Sequence, residues 1–140
     1  MTKKNILIVD DSFVMRALLR GIVTSDPDLA VCGEATNGLE ALQNIKELNP
    51  DLVLLDIEMP GMDGLTFLRQ QMAERPIPTV ICSTLTETGS KIALDALSAG
   101  AVAVVTKPRL GLKQFLEDSR QELVQALKTA ARSRPRLMSA

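Results

Sequence analysis

The sequence predicts a doubly wound α/β domain, with five parallel strands alternating with five helices in the spatial order 2-1-3-4-5. Three observations carry this. Apolar runs of four to six residues alternate along the chain with amphipathic stretches of helical period, a pattern that demands βαβ crossovers, a parallel sheet and helices on both faces. Four of the five runs are apolar throughout, as strands buried on both faces are. The fifth, Ala30–Ala35, holds Gly33 and Glu34 and belongs at a sheet edge.

Taken in order, Asn5–Val9 is the first strand, ended by Asp10, Asp11 and Ser12, all residue types that cap helices. The helix that follows carries Met15, Leu18, Leu19 and Ile22 on one stripe and closes at Asp26-Pro27-Asp28. After the edge strand, Asn37-Gly38 turns into a second helix with Leu39, Leu42, Ile45 and Leu48, stopped by Asn49-Pro50. Leu52–Leu55 is a buried strand that runs into Asp56 and then into Pro60, Gly61 and Gly64. Asp63-Gly64 begins a third helix with Leu65, Leu68 and Met72 inward. Thr79–Cys82 is a fourth strand ending at Ser83, and Thr84–Gly89 a polar loop. A fourth helix lies near Ser90–Ala99, with Gly100 as its cap. Ala101–Val105 runs into Thr106-Lys107-Pro108, and a last helix over 112–131 buries Leu116, Leu123 and Leu127. The strand order is that of a flavodoxin-like sheet, whose ligands bind beyond the carboxyl ends of the strands where the order switches.

The 140-residue chain is expected to form one domain over residues 4–131, followed by a basic linker or tail at 132–140. No apolar run approaches the roughly 20 residues of a membrane span and no leader is visible, so the cytoplasm is the expected location. The absence of histidine, and two cysteines, Cys32 and Cys82, without a spacing motif, make a zinc site improbable. The two cysteines fall on strands that are not neighbours, beyond the roughly 7 Å a disulfide allows. Residues 1–106 hold 14 acids against 8 bases, and residues 107–140 hold 3 against 8. An acidic body with a basic tail argues against a nucleic-acid surface on the body. The absence of Trp and Tyr removes a stacking platform for flavin.

The functional signal is convergence. The predicted topology brings Asp10, Asp11, Asp56, Ser83 and Lys107 to one sheet edge from four segments. Each residue alone has a bland reading: helix caps for the aspartates, a loop serine, a surface lysine. Together, three carboxylates a few ångströms apart repel by about 3 kcal/mol per pair at an effective dielectric near 20. A hard divalent cation offsets that, and Mg²⁺, or Mn²⁺ in its place, takes such oxygen ligands. Asp56 then becomes a carboxylate nucleophile forming an acyl phosphate, with the metal, Lys107 and Ser83 each meeting one phosphoryl oxygen.

The run I-L-I-V-D-D-S, the stretch L-V-L-L-D-I-E-M-P-G-M-D-G-L, Ser83 and Lys107-Pro108 resemble a response-regulator receiver domain over about residues 4–130. The resemblance implies phosphorylation of Asp56 by a partner histidine kinase. It also implies Mg²⁺ held directly by Asp11 and Asp56, largely through water by Asp10, and by the backbone carbonyl of Glu58. A cis bond at Lys107-Pro108 is implied too. Within that family, S-T-L-T-E-T-G, A-L-S-A-G-A-V-A-V-V-T-K-P and A-L-K-T-A-A-R-S-R are similar to the receiver of the chemotaxis protein-glutamate methylesterase (CheB type). Such a receiver switches an output domain, here expected to be a methylesterase in cis. The esterase's own G-x-S-x-G turn and histidine are absent, so the only chemistry expected of these residues is self-phosphorylation and autodephosphorylation, and a regulatory fragment is favoured over a stand-alone relative. One departure stands out: Val104 occupies the place where the family carries Phe or Tyr. A non-switching binding module is therefore the alternative reading. A flavodoxin-type carrier and an aspartyl phosphatase are the enzyme rivals, the latter disfavoured because Asp56-Ile57-Glu58 lacks the second aspartate.

Overall fold

A computed structural model describes residues 3–57, 64–83, 87–106 and 113–132, with the backbone alone for 87–90 and 113–119. The elements are β1 Lys4–Val9, α1 Phe13–Thr24, β2 Leu29–Ala35, α2 Gly38–Leu48, β3 Leu52–Asp56, α3 Gly64–Glu74, β4 Thr79–Ser83, α4 Glu87–Ser98, β5 Ala103–Thr106 and α5 Lys113–Ala131. All strand pairings are parallel and the order is β2-β1-β3-β4-β5, as the apolar pattern predicts. The sheet has β2 at one edge and β5 at the other.

Side-chain alternation along the central strands divides the core into two layers. Leu7, Val9, Val53, Leu55 and Ile81 face one side and pack with Ala41, Ile45, Phe67, Leu68, Met72, Ala96 and Ala99. Those residues belong to α2, α3 and α4, except Ala99, which follows α4 directly. Ile6, Ile8, Leu52, Leu54, Val80 and Cys82 face the other side, against Leu19, Ile22, Val23, Leu123, Leu127 and Ala130 of α1 and α5. At about 1.5–3 kcal/mol per fully buried large aliphatic side chain, these layers dominate the stability.

Differences from the sequence reading sit at element ends and on one helix. Leu39 is 67% exposed and Leu48 40%, whereas Gly38, Ala41 and Ile45 are buried. The helix α2 packs on the edge strand β2 and on β1, where only a narrow face meets the sheet. Strand β5 starts at Ala103, because the Ala101 amide is already used, donating to the Ala96 carbonyl at 3.0 Å in the turn that closes α4. Gly100 makes that turn at φ +118°, a conformation that favours glycine. The helix α4 begins at Glu87, ahead of the expected Ser90, since none of its first five residues, Glu87 to Lys91, is a large apolar residue that would mark the start. Leu116, expected to be buried, lies among the residues with backbone alone.

Cys32 and Cys82 lie on β2 and β4, with β1 and β3 between them, and neither forms a disulfide. Burial pushes the Cys32 thiol up from its ordinary value. The end of α5 is tied to the loop after α1: Lys128 Nζ reaches Asp26 at 3.0 Å and Asp28 at 3.3 Å. The Asp28 amide and then Lys128 hold the Asp26 carboxyl below its usual range.

Candidate functional site

In a parallel sheet every strand ends at the same edge. Here β1 runs into Asp10, β3 ends on Asp56, β4 on Ser83 and β5 on Thr106. Strands β1 and β3 are neighbours, with Val9 opposite Leu55. The chain leaves β1 toward α1 on one face and leaves β3 toward α3 on the other. That divergence opens a crevice beyond the strand ends. Strand pairing sets the other members: Asp56 lies opposite Cys82, and Ser83 opposite Thr106.

Three predicted residues meet there. Carboxylate oxygens of Asp10, Asp11 and Asp56 all lie within 4.8 Å of one another. Asp10 is 1% exposed and Asp56 2%, while Asp11 faces solvent. Ser83, 5% exposed, lies at the same edge. Glu58, Lys107 and the Lys107-Pro108 bond lie outside the described residues, as do residues 84–86 of the polar loop.

The local backbone gives the capping role to a neighbouring residue. Ser12 is the cap of α1: its Oγ accepts from the Met15 amide at 3.2 Å. That takes the capping role from Asp10 and Asp11, the bland alternative for this pair. Asp10 Oδ1 accepts from the Ser12 amide at 2.8 Å, which orients its carboxylate toward the strand end. A set of hard oxygen donors with two buried members fits a Mg²⁺-sized cation better than a soft metal. Each pair repels by about 3 kcal/mol at this spacing and an effective dielectric near 20. Asp10→Asn keeps the Ser12 contact but removes a charge. In metal-free buffer it is expected to raise the urea unfolding midpoint and to weaken Mg²⁺ binding in calorimetry. Unchanged values of both would count against the cluster as a charged pocket.

Two residues at the site were not singled out from the sequence. Gly64 was read only as a helix start, yet a Cβ there would stand 2.7 Å from Ile57 Cα and 2.8 Å from the Asp56 carbonyl oxygen. The first turn of α3 therefore packs directly on the backbone carrying Asp56. Arg16 donates from Nη1 to the Asp10 carbonyl at 2.8 Å. Its only sequence signal is a cation one turn after an aspartate pair.

Comparison with known proteins gives a decisive match. The profile of the response regulator receiver domain covers residues 6–128. The chain belongs to that family. Phosphorylation and Mg²⁺ binding at an acidic pocket are general for receiver domains, and the Asp10, Asp11 and Asp56 cluster lies where that pocket is expected. A protein-glutamate methylesterase/protein-glutamine glutaminase of Xanthomonas campestris pv. campestris is 53% identical over 134 residues, 96% of this chain and 38% of that protein. A counterpart from Chromobacterium violaceum is 52% identical over 130 residues, 93% of this chain and 36% of that protein. The chain thus spans less than two-fifths of these curated relatives. Among solved structures, the response regulator domain of Thermotoga maritima CheB aligns with a TM-score of 0.84 at 38% identity, covering 95% of this chain and 99% of that one. A structure of the CheA3 P1 domain with CheY6 from R. sphaeroides aligns with a TM-score of 0.78 at 34% identity, covering 95% of this chain and 100% of the matched one. Among the described residues, no helix of the receiver is long and apolar enough to cross a membrane.

Proposed function

We propose that this receiver takes a phosphoryl group from a histidine kinase onto Asp56 and thereby switches an output domain, a chemotaxis receptor methylesterase in cis. The observation that carries the reading is the meeting of Asp10, Asp11 and Asp56 within 4.8 Å at the switch in strand order. The methylesterase assignment rests on the relatives' similarity over this chain alone.

In the transfer, an Asp56 carboxylate oxygen forms a bond to phosphorus as the bond from phosphorus to the donor's imidazole nitrogen breaks. The imidazole departs as a neutral ring, keeping the proton that its other nitrogen carried in the phosphorylated form, and Asp56 becomes an acyl phosphate. Asp11 and Asp56, with the Glu58 backbone carbonyl and with Asp10 largely through water, would hold Mg²⁺. The metal, when bound, neutralises charge on one phosphoryl oxygen. The Ser83 hydroxyl donates to a second oxygen and the Lys107 ammonium pairs with the third. Later attack by water on phosphorus returns Asp56 to a carboxylate and releases phosphate.

Val104 lies on β5 opposite Ile81, half-buried against the core layer of α2, α3 and α4. With no ring to reorient, the signal is carried by movement around Ser83–Gly89. The acidic cluster favours this switching reading over a non-switching binding module. The receiver occupies residues 4–131 of a cytoplasmic protein, and 132–140 is the basic linker toward the output domain. In support, α5 ends at Ala131 and the family match at residue 128.

Titration with beryllofluoride and Mg²⁺, followed by amide chemical shifts, tests the proposal. Shifts centred on Asp10, Asp11, Asp56 and Ser83 and spreading into α4 are expected. A spectrum unchanged at saturating reagent would overturn it.

A further inference from the structure

We propose that Arg16 is a positioning residue for the divalent cation: by holding the Asp10 carbonyl it fixes the Asp10–Asp11 turn and so sets metal affinity. The inference rests on the reading that these carboxylates hold Mg²⁺.

Arg16 is the fourth residue of α1, and side chains there lean back over the preceding turn. Its guanidinium Nη1 donates to the Asp10 carbonyl at 2.8 Å, and its Nε lies 3.4 Å from Glu34 Oε1 on β2. Its Cζ stands 5.9 Å from the centre of the Phe13 ring, and the side chain is 13% exposed. Glu34 is braced in turn by Arg20 Nη1 at 2.7 Å. The other side of Asp10 is held by the sheet edge, where its amide donates to the Ala35 carbonyl at 3.0 Å. The Asp10 carbonyl belongs to the planar peptide leading into Asp11. Fixing that oxygen fixes the plane, and with it the direction in which the exposed Asp11 carboxylate leaves the chain. Repulsion among three carboxylates pushes Asp11 outward, and the clamp opposes it.

Charge and position predict opposite signs here, which makes the idea testable. A guanidinium beside a divalent-cation site lowers affinity by repulsion, so its removal on charge grounds alone tightens Mg²⁺. If Arg16 acts by holding the turn, its removal weakens Mg²⁺. Arg16→Met is expected to raise the Mg²⁺ dissociation constant about tenfold in titration calorimetry, the lower end for loss of a group supporting metal ligands. Arg16→Lys keeps the charge but has no planar fork to reach Asp10 and Glu34 together, so it is expected to bind weakly as well. Arg20→Met removes a cation from the same glutamate without touching the turn, and is expected to leave affinity within about twofold. Amide spectra of the metal-free variants confirm folding. Tighter or unchanged binding in Arg16→Met, or full rescue by Arg16→Lys, would overturn the proposal. Absence of Mg²⁺ binding by the wild-type chain would instead overturn the metal site itself.

Discussion

Asp56→Asn is expected to abolish phosphate uptake completely: with a small phosphodonor and Mg²⁺, the wild-type chain gains the mass of one phosphate and the variant gains none. The substitution is nearly isosteric, which suits a side chain only 2% exposed. It exchanges a charged oxygen nucleophile for a neutral amide whose lone pairs are delocalised. It also removes one of three mutually repelling charges, so the metal-free variant is expected to be at least as stable as wild type. Lost uptake then reports lost chemistry and not lost fold. Intact-mass measurement decides the matter, because phosphate persisting on the variant would move the acceptor to another residue.

The proposed acceptor, Asp56, differs from its two neighbours in how its backbone is held. Asp11 faces solvent at the start of a turn, and Asp10 Oδ1 is engaged by the Ser12 amide. Asp56 is the last residue of a fully buried central strand paired on both sides. A nucleophile on such a strand loses little orientational freedom on reacting, because the sheet has already fixed its backbone.

Most of this arrangement was legible in the sequence because the signals were redundant. The weak strand with Gly33 and Glu34 marks one edge, whereas β5, apolar throughout, forms the other, so apolar content identified β2 as an edge and the βαβ crossover pattern supplied the rest of the order. Once the order is known, Asp10, Asp56 and Ser83 reach one rim without further information. What could not be read depends on distances between elements. The period of α2 offers Leu39 and Leu48 for burial, but Leu39 stays largely exposed and Leu48, whose Cδ1 lies over Gly33 of the edge strand, is only partly covered. The period of α3 placed Leu68 and Met72 inward but gave no notice of Gln71, buried with its Nε2 donating to the Ile77 carbonyl at 2.9 Å. Arg16 and Gly64 matter for what they touch across the fold, and no one-dimensional pattern records that.

The position of Gly64 leads to the second large effect. In a helix, exchange of glycine for alanine normally stabilises by about 0.5–1 kcal/mol, because glycine loses more freedom on folding. Gly21 of α1 is the case where this should hold, since a Cβ there meets nothing within 4 Å. At Gly64 the sign is expected to reverse. The added Cβ would meet Ile57 Cα at 2.7 Å and the Asp56 carbonyl oxygen at 2.8 Å, and both are backbone atoms that cannot swing aside. Either α3 lifts from the sheet, weakening the burial of Phe67 and Leu68, or the end of β3 shifts and carries Asp56 with it. Overpacking of this kind costs about 1–3 kcal/mol. A displacement of the nucleophile by about 1 Å costs about a hundredfold in rate. Gly64→Ala is therefore expected to lower the urea midpoint and to slow phosphate uptake from a small donor, whereas Gly21→Ala should raise the midpoint and leave uptake unchanged. If Gly64→Ala proved as stable and as fast as wild type, the contact between α3 and the strand carrying Asp56 would have no part in positioning the acceptor.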